Sequence, residues 1–303
     1  MALRHQTIKP EKIIFSDDSP NQDFFNFLSQ EPIRTLVADL NVQVVHGPRK
    51  GAWNNFRNLI DIYCQQGENK TEFFHILLDD DIIYPRFYER HLEAHRLGHL
   101  SCVVSRRWTA LESGQPISDN LPVPEAVANY PYSMIMLNSA ILFLHTVGNN
   151  TNWLGEFSNV TFRASVAEEI IESQMAGISY AGLEDLGAFL KSSLHAPVGY
   201  VKEFLGAFRT SAQQHSADPM GKPLKSAFLA YIALAIAARN IGQLTKDQSA
   251  QAILKVAAFI LQHYSEEKDM QEFCRVMHEF LASSAIAERD FLAVWSDFSK
   301  SVW

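Results

Sequence analysis

Ahead of residue 205, short apolar runs of β-forming character alternate with amphipathic helical stretches, and two of the runs end abruptly in clustered carboxylates. KIIFS at 12–16 ends in Asp17-Asp18-Ser19, and FFHILL at 73–78 ends in Asp79-Asp80-Asp81. Further runs at 42–45, 102–105, 141–144 and 198–201 read as strands; the stretches near 22–37, 52–65, 86–98, 163–176 and 184–194 read as helices. Strands alternating with helices imply an α/β fold, a mostly parallel sheet flanked by crossover helices. Such sheets place ligands at the carboxyl ends of their strands, which is where the acids gather.

After residue 205 the pattern is helical. Pro223 opens an apolar stretch to Arg239, with Gly242 as a C-cap, and Thr245-Lys246-Asp247-Gln248 has the capping-box form. Two more helices are expected over about 267–282 and 287–300, and the short connections favour a small antiparallel bundle. The division expected is a sheet domain over 1–204 and a helical domain over 205–303. The apolar faces of the tail pack within the chain, against a second subunit or against an acceptor protein, packing within the chain being the plain reading.

Composition narrows the function. With 34 Asp+Glu against 26 Lys+Arg the chain carries a formal charge of −8, which argues against coating nucleic acid and would repel a phosphorylated ligand unless a cation intervenes. Cys64, Cys102 and Cys274 lie far apart and show no CxxC spacing, so a reducing compartment is expected rather than a disulfide framework. The N-terminus lacks the apolar core of a signal peptide. The longest apolar run, 227–238, is too short to cross a bilayer as a helix and reads as a buried helix. A cytoplasmic protein is expected, with peripheral attachment to the inner face of a membrane as a variant of that reading.

Three groups of residues suggest chemistry. In an extended segment, residues two apart project to one side, so Asp79 and Asp81 could face one divalent ion with Asp80 turned elsewhere. Mg²⁺ or Mn²⁺ suits such oxygen sites and completes its shell with water and phosphate oxygens. The plain alternative is a solvated acidic turn. Asp17-Asp18-Ser19 could accept hydrogen bonds from a base or ribose, or simply make a turn. Glu184 and Asp185 stand where a helix dipole favours acids, and where Asp185 could serve as a general base.

Taken in order, these residues resemble the family 2 glycosyltransferases of the GT-A fold. The segment LRHQTIKPEKIIFSDDS at 3–19 is similar to that family's passage into its second strand, and GAWNNFRN at 51–58 to the helix start that follows. FHILLDDDIIYP at 74–85 resembles the Asp-x-Asp strand end, FSNVTFR at 157–163 the stretch before the acceptor-side helix, and GLEDLGAFLKS at 182–192 the Glu-Asp motif of inverting members. The resemblance covers about residues 1–200 and fades in the tail.

What the resemblance implies is a metal-dependent inverting transfer of a sugar from a nucleoside-diphosphate sugar to a hydroxyl on a glycan, a lipid-linked or a protein acceptor. Asp18, with Asp17, would contact the base and Arg57 the base or ribose. Asp79 and Asp81 would hold the metal, with Asp80 near ribose or sugar. Asp185 would deprotonate the acceptor, and Glu184 and Asn159 would shape its site. His215 would complete the metal shell or cover the phosphates, and Trp153 or Trp108 would stack on sugars, although an unplaced Trp is more often packing. One departure stands out. The family begins with a strand ahead of the Gln-Thr pair, and here the match starts at residue 3, so two unpaired strand edges are expected. Two other classes stay open: a catalytically impaired binding or scaffold protein, and a sugar nucleotidyltransferase, which would want a Gly-rich phosphate loop that the chain lacks.

Overall fold

The computed structural model describes residues 2–119, 121–210 and 218–302. Its first layer is a two-stranded parallel sheet, β1 (Ile13–Asp17) paired in register with β2 (Val42–His46). The helix expected over 22–37 is two short ones, α1 (Asp23–Leu28) and α2 (Glu31–Leu36). Pro32 sits in the first turn of α2, where its missing N–H costs nothing but where α1 could not have run through. Helix α3 (Ala52–Cys64) follows, burying Trp53, Ile60 and Tyr63 on one face.

The main sheet has seven strands. Its spine runs β3 (Phe73–Phe74), β8 (Val160–Arg163), β5 (Cys102–Leu111), β11 (Val198–Thr210), β4 (Ile82–Ile83), with β6 (Pro116–Ser118) added to β5 and β7 (Met134–Leu137) to β11. The long central ladder, β5 with β11, is parallel from Val198 opposite Cys102 to Thr210 opposite Leu111; the shorter flanking ladders are antiparallel. No strand pairing among the described residues joins this sheet to β1–β2, and β1 and β3 each have a strand partner on one side only. A small hairpin, β9 (Gln174–Met175) with β10 (Ile178–Ser179), stands apart from both.

Around the sheet lie α4 (Phe87–Leu97), α5 (Glu125–Ala128), α6 (Ser139–His145), α7 (Ala167–Ile171) and α8 (Glu184–His195). The run at 141–144, expected as a strand, belongs to α6: Asn138 caps it by accepting the Ile141 N–H at 2.9 Å, and an apolar run this short has no periodicity to separate strand from helix. The strand is β7, just before it. Beneath α4, His91 Nδ1 and His95 Nε2 each lie 3.0 Å from Thr161 Oγ1, and His75 bridges Tyr88 and the Ser158 carbonyl at 3.1 Å each.

The tail consists of α9 (Lys222–Asn240), α10 (Lys246–Tyr264), α11 (Gln271–Leu281) and α12 (Ala287–Ser299). The capping box at Thr245 and Gln248 forms as expected, at 3.2 and 2.9 Å. Helix α9 is buried on all sides from Leu229 to Ala238, as an all-apolar helix must be. One apolar core runs without a break from Trp53, Phe162 and Phe189 through α9 to Phe273 and Trp295. The division expected at 204/205 therefore falls inside β11, which continues to Thr210, and the tail shares its core with the sheet.

Candidate active site

The acidic run after β3 is a turn. The Asp81 N–H donates to the Leu78 carbonyl at 3.3 Å, which puts Asp79 and Asp80 at the corner. Asp79 is exposed and Asp81 is only 8% exposed, so the two do not share the face that an extended strand would have provided. Arg209, at the end of β11, clasps the turn: its Nε donates to the Asp80 carbonyl, its Nη2 to that of Asp79 at 3.2 Å, and its backbone N–H to Asp81 Oδ1 at 3.3 Å. The other carboxylate oxygen of Asp81 is buried without a hydrogen-bond partner. Burial pushes the Asp81 carboxyl up to about 7; the Ser158 hydroxyl opposes this, and the charges of Asp80 and Glu156 add to it.

A single turn of 3₁₀ helix, Phe157–Asn159, links this carboxyl to the second one. Ser158 Oγ accepts the Leu78 N–H at 3.1 Å, and the Phe157 N–H donates to Asp185 Oδ1 at 3.2 Å. The turn is tied at both ends. Asn159 Oδ1 accepts the Glu156 N–H at 2.7 Å, while its Nδ2 donates to the carbonyls of Ser105 and Leu154 at 2.6 and 2.8 Å. Arg107 grips Glu156 with Nε to Oε2 at 2.9 Å and Nη2 to Oε1 at 2.6 Å. Burial raises the Asp185 carboxyl well above its usual range, helped by the charges of Glu156 and Glu184 and opposed by the Phe157 N–H. A small cavity is lined by Asp81, Arg107, Glu156, Ser158 and Phe208.

Other expected site residues have structural employment. Glu184 is buried and turns back on its own loop, accepting the Gly182 N–H at 2.9 Å. Asn159 spends its amide on the three bonds above and is 3% exposed, so it holds the turn. Trp153 is fully buried against Tyr200, with ring centroids 5.3 Å apart, and no sugar reaches it. Asp17 is buried with both oxygens engaged: Ser19 N–H at 3.0 Å on one and Phe25 N–H at 2.8 Å on the other. Burial alone would raise its carboxyl; the Ser19 hydroxyl and the backbone N–H groups outweigh this and hold it below the usual range. Asp18 is partly exposed and accepts the Arg49 N–H at 2.5 Å, fastening the end of β1 to the loop before α3. Arg57 is exposed on α3. His215 lies outside the described residues. Among the described residues no three His, Cys, Asp or Glu side chains form a metal-binding group.

In sequence the chain matches no family model and no curated protein. In three dimensions it is similar to TarS of S. aureus. It covers 99% of itself and 86% of the TarS 1–349 structure in complex with UDP-GlcNAc, at 10% identity and a TM-score of 0.54. The UDP complex gives 10% and 0.52, and a longer TarS structure, 51% covered, gives 11% and 0.55. The fold is GT-A-like. At this identity the likeness is one of fold. Within the GT-A-like fold, Arg107 and Glu156 lie outside the sequence motifs, and Ser158 lies inside one of them, FSNVTFR, without an assigned role. The one signal for them is Arg107 itself, a charge inside a strand whose flanking residues are largely buried. No helix among the described residues is long and apolar enough to cross a membrane.

Proposed function

We propose that the chain is a glycosyltransferase that moves a sugar from a nucleoside-diphosphate sugar to an acceptor hydroxyl with inversion at the anomeric carbon. The observation that carries this reading is the Phe157–Asn159 turn, hydrogen-bonded at one residue to the acidic turn after β3 and at the next to Asp185. It fixes a donor-side carboxyl and a proton-accepting carboxyl relative to each other. The likeness of fold to TarS, solved with UDP-GlcNAc, supports a uridine-diphosphate sugar as the donor.

In the proposed reaction the acceptor oxygen bonds to the anomeric carbon as the bond from that carbon to the phosphate oxygen breaks. The bonding pair leaves with the nucleoside diphosphate, and the acceptor proton passes to Asp185. A carboxyl whose proton affinity is raised by burial is a stronger base than an exposed one, which suits it to a hydroxyl proton near neutral pH. The orphaned buried oxygen of Asp81 fits a cation, and an all-oxygen donor set fits Mn²⁺ or Mg²⁺. Asp81 would hold that ion, with His215, which lies outside the described residues, assigned as a further ligand. When bound it would supply charge neutralisation for the departing diphosphate. Arg209 adds a fixed cation beside the same turn. Asp18 and Arg57 are assigned to the nucleoside, Asp80 to ribose or sugar, and Glu184 to the loop that carries the base. The acceptor is a glycan, a lipid-linked or a protein hydroxyl, met in the cytoplasm or at the inner face of a membrane.

Calorimetric titration with UDP-GlcNAc in the presence and absence of Mn²⁺ tests the donor assignment. Binding that needs Mn²⁺ and disappears in Asp81→Asn is expected, with Asp185→Asn keeping the binding and losing donor turnover. Absence of binding to the native chain under both conditions would sink the reading.

A further inference from the structure

The segment that leads into α8 is held from the far side by the C-terminal helices. Ser226 Oγ, on α9, donates to the Ala181 carbonyl at 2.6 Å, and Trp295 Nε1, on α12, donates to the Ser179 carbonyl at 2.7 Å. These carbonyls are two residues apart, so in a near-extended segment both point to the tail. The residue between them faces the body of the protein. The Tyr180 N–H donates to the Ser173 carbonyl at 3.0 Å, its hydroxyl to the Glu172 carbonyl at 2.8 Å, and its ring lies flat over Gly187 of α8, where a Cβ would come within 2.2 Å of it. Gly182 has φ +100°, and a Cβ there would meet the Ala227 N and Ser226 Oγ at 2.8 Å. Only glycine lets the loop lie this close to α9.

The path from these contacts to Asp185 is short and hydrogen-bonded throughout. The Leu183 N–H donates to the Tyr180 carbonyl at 3.0 Å, Gly182 N–H to Glu184 at 2.9 Å, and Gly187 N–H to the Leu183 carbonyl at 2.8 Å, which closes the first turn of α8. Helix α9 is itself pinned beside Ser226: Lys225, 3% exposed, reaches Glu267 and Asp269 at 2.8 Å each. Ser226 and Trp295 are both essentially buried; Trp295 stacks on Phe291 and Phe298 of the tail core while its Nε1 reaches out of that core to Ser179.

We propose that the C-terminal helices brace the loop that carries the base, with Ser226 and Trp295 as positioning residues that set where Asp185 stands through the carbonyls of Ala181 and Ser179. This gives the tail a part in the reaction itself. It rests on the assignment of Asp185 under the proposed function. The expected effect follows from geometry, because displacing a reacting group by about 1 Å can cost on the order of 100-fold in rate.

The test uses the full chain and two conservative variants, Ser226→Ala and Trp295→Phe, each of which removes one donor. Phe273→Leu serves as a control; it loosens the tail core against Phe291, 6.2 Å away ring to ring, without touching either carbonyl. Amide hydrogen exchange at residues 183–187 should quicken about tenfold or more in both variants while β5 stays protected, and Phe273→Leu should leave 183–187 unchanged. Turnover of UDP-GlcNAc should fall about 10- to 100-fold in kcat with KM for the donor within about twofold. Unchanged exchange at 183–187 in Ser226→Ala, or an equal rise in Phe273→Leu, overturns the proposal. Should Trp295→Phe fail to fold, Ser226→Ala, which loses a single oxygen, decides alone. If the native chain does not turn over UDP-GlcNAc, the proposed function fails, and the exchange measurement still decides the brace.

Discussion

Arg107 holds Glu156 with two parallel nitrogen–oxygen contacts, at 2.9 and 2.6 Å, and Glu156 in turn is the charged neighbour that Asp81 and Asp185 share. The Arg107 side chain is 7% exposed and that of Glu156 23%. A pair so placed matters less for the energy of its own attraction than for what either partner does when left alone.

Arg107→Gln leaves the carboxyl groups of Asp81 and Glu156 around one small cavity with the guanidinium gone. Breaking a buried pair in this way costs about 3–5 kcal/mol, and guanidinium unfolding should read a loss of that order. Glu156→Gln has a different signature. It removes a negative neighbour from both carboxyls, so the acid limb of the pH–activity profile should move to lower pH. An acid limb that stays in place would show that Glu156 does not act on Asp185.

Asp81→Asn should trade function for stability. The folded carboxyl, at about 7, lies above its usual 3.8, so its contribution to stability is fully present below pH 3.8 and lost as pH rises through about 7. Above that the native chain holds a buried anion, at a cost of about 1.4 kcal/mol per unit of displacement. Replacing the anion by a neutral amide should stabilise the ligand-free protein by about 1–3 kcal/mol at pH 8 and make little difference at pH 3. Thermal melts at the two pH values measure it; equal shifts at both would refute the account.

The histidines under α4 impose the opposite slope. Burial lowers His75 to about 4, against the Ser158 backbone bond that favours the charged form. Burial likewise lowers His95 to about 3, aided by the charge of Arg163, and His91 well below 6.5. Each must stay neutral to remain folded in. Their stabilising effect is present above pH 6.5 and lost as pH falls towards about 4 and about 3. Urea midpoints should drop steadily between pH 7 and pH 5, and His95→Gln, which takes up no proton, should drop less.

At Lys225 the asymmetry lies between the partners. The lysine side chain is 4% exposed, while Glu267 and Asp269 are 37% and 49% exposed. Removing both acids strands a buried ammonium, whereas removing the lysine releases two carboxylates into water. Glu267→Ala with Asp269→Ala should therefore cost about 3 kcal/mol or more, and Lys225→Met about 1 kcal/mol or less, by denaturant unfolding.

Much of this molecule can be read from its chain. The extents of α3, α4 and α8, the capping box of α10 and the buried character of α9 follow from local rules of period and capping, whereas the stretch at 163–176, expected as one helix, is the end of β8, the short α7 and β9. The segment at 79–81 resisted because turn and extended strand place the same three acids differently, and the choice is made by Arg209, 128 residues beyond Asp81. Trp153 and Asn159 resisted for a related reason. Whether an aromatic ring or an amide meets a ligand depends on which of its faces the core has already taken, and Tyr200, Ser105 and Leu154 take them. Arg107 stands out as a charge within β5, but nothing local points to its partner, Glu156, 49 residues on.

The small sheet of β1 and β2 has one last consequence. Two strands with an open margin have a lower free energy of local opening than a seven-stranded sheet, because fewer ladder bonds and less buried area must be given up together. That sheet ends in Asp17, with Asp18 just beyond it, and the N-terminal segment ahead of it is tied to the body by the Thr7 N–H to the Pro85 carbonyl at 2.7 Å and Gln6 Nε2 to the Tyr84 carbonyl at 2.8 Å. Were Asp18 to meet a nucleoside as proposed, the wall it forms would open more readily than the main sheet; the affinity would be reduced by the fraction of time it stood open, and the arrival of the ligand would close it.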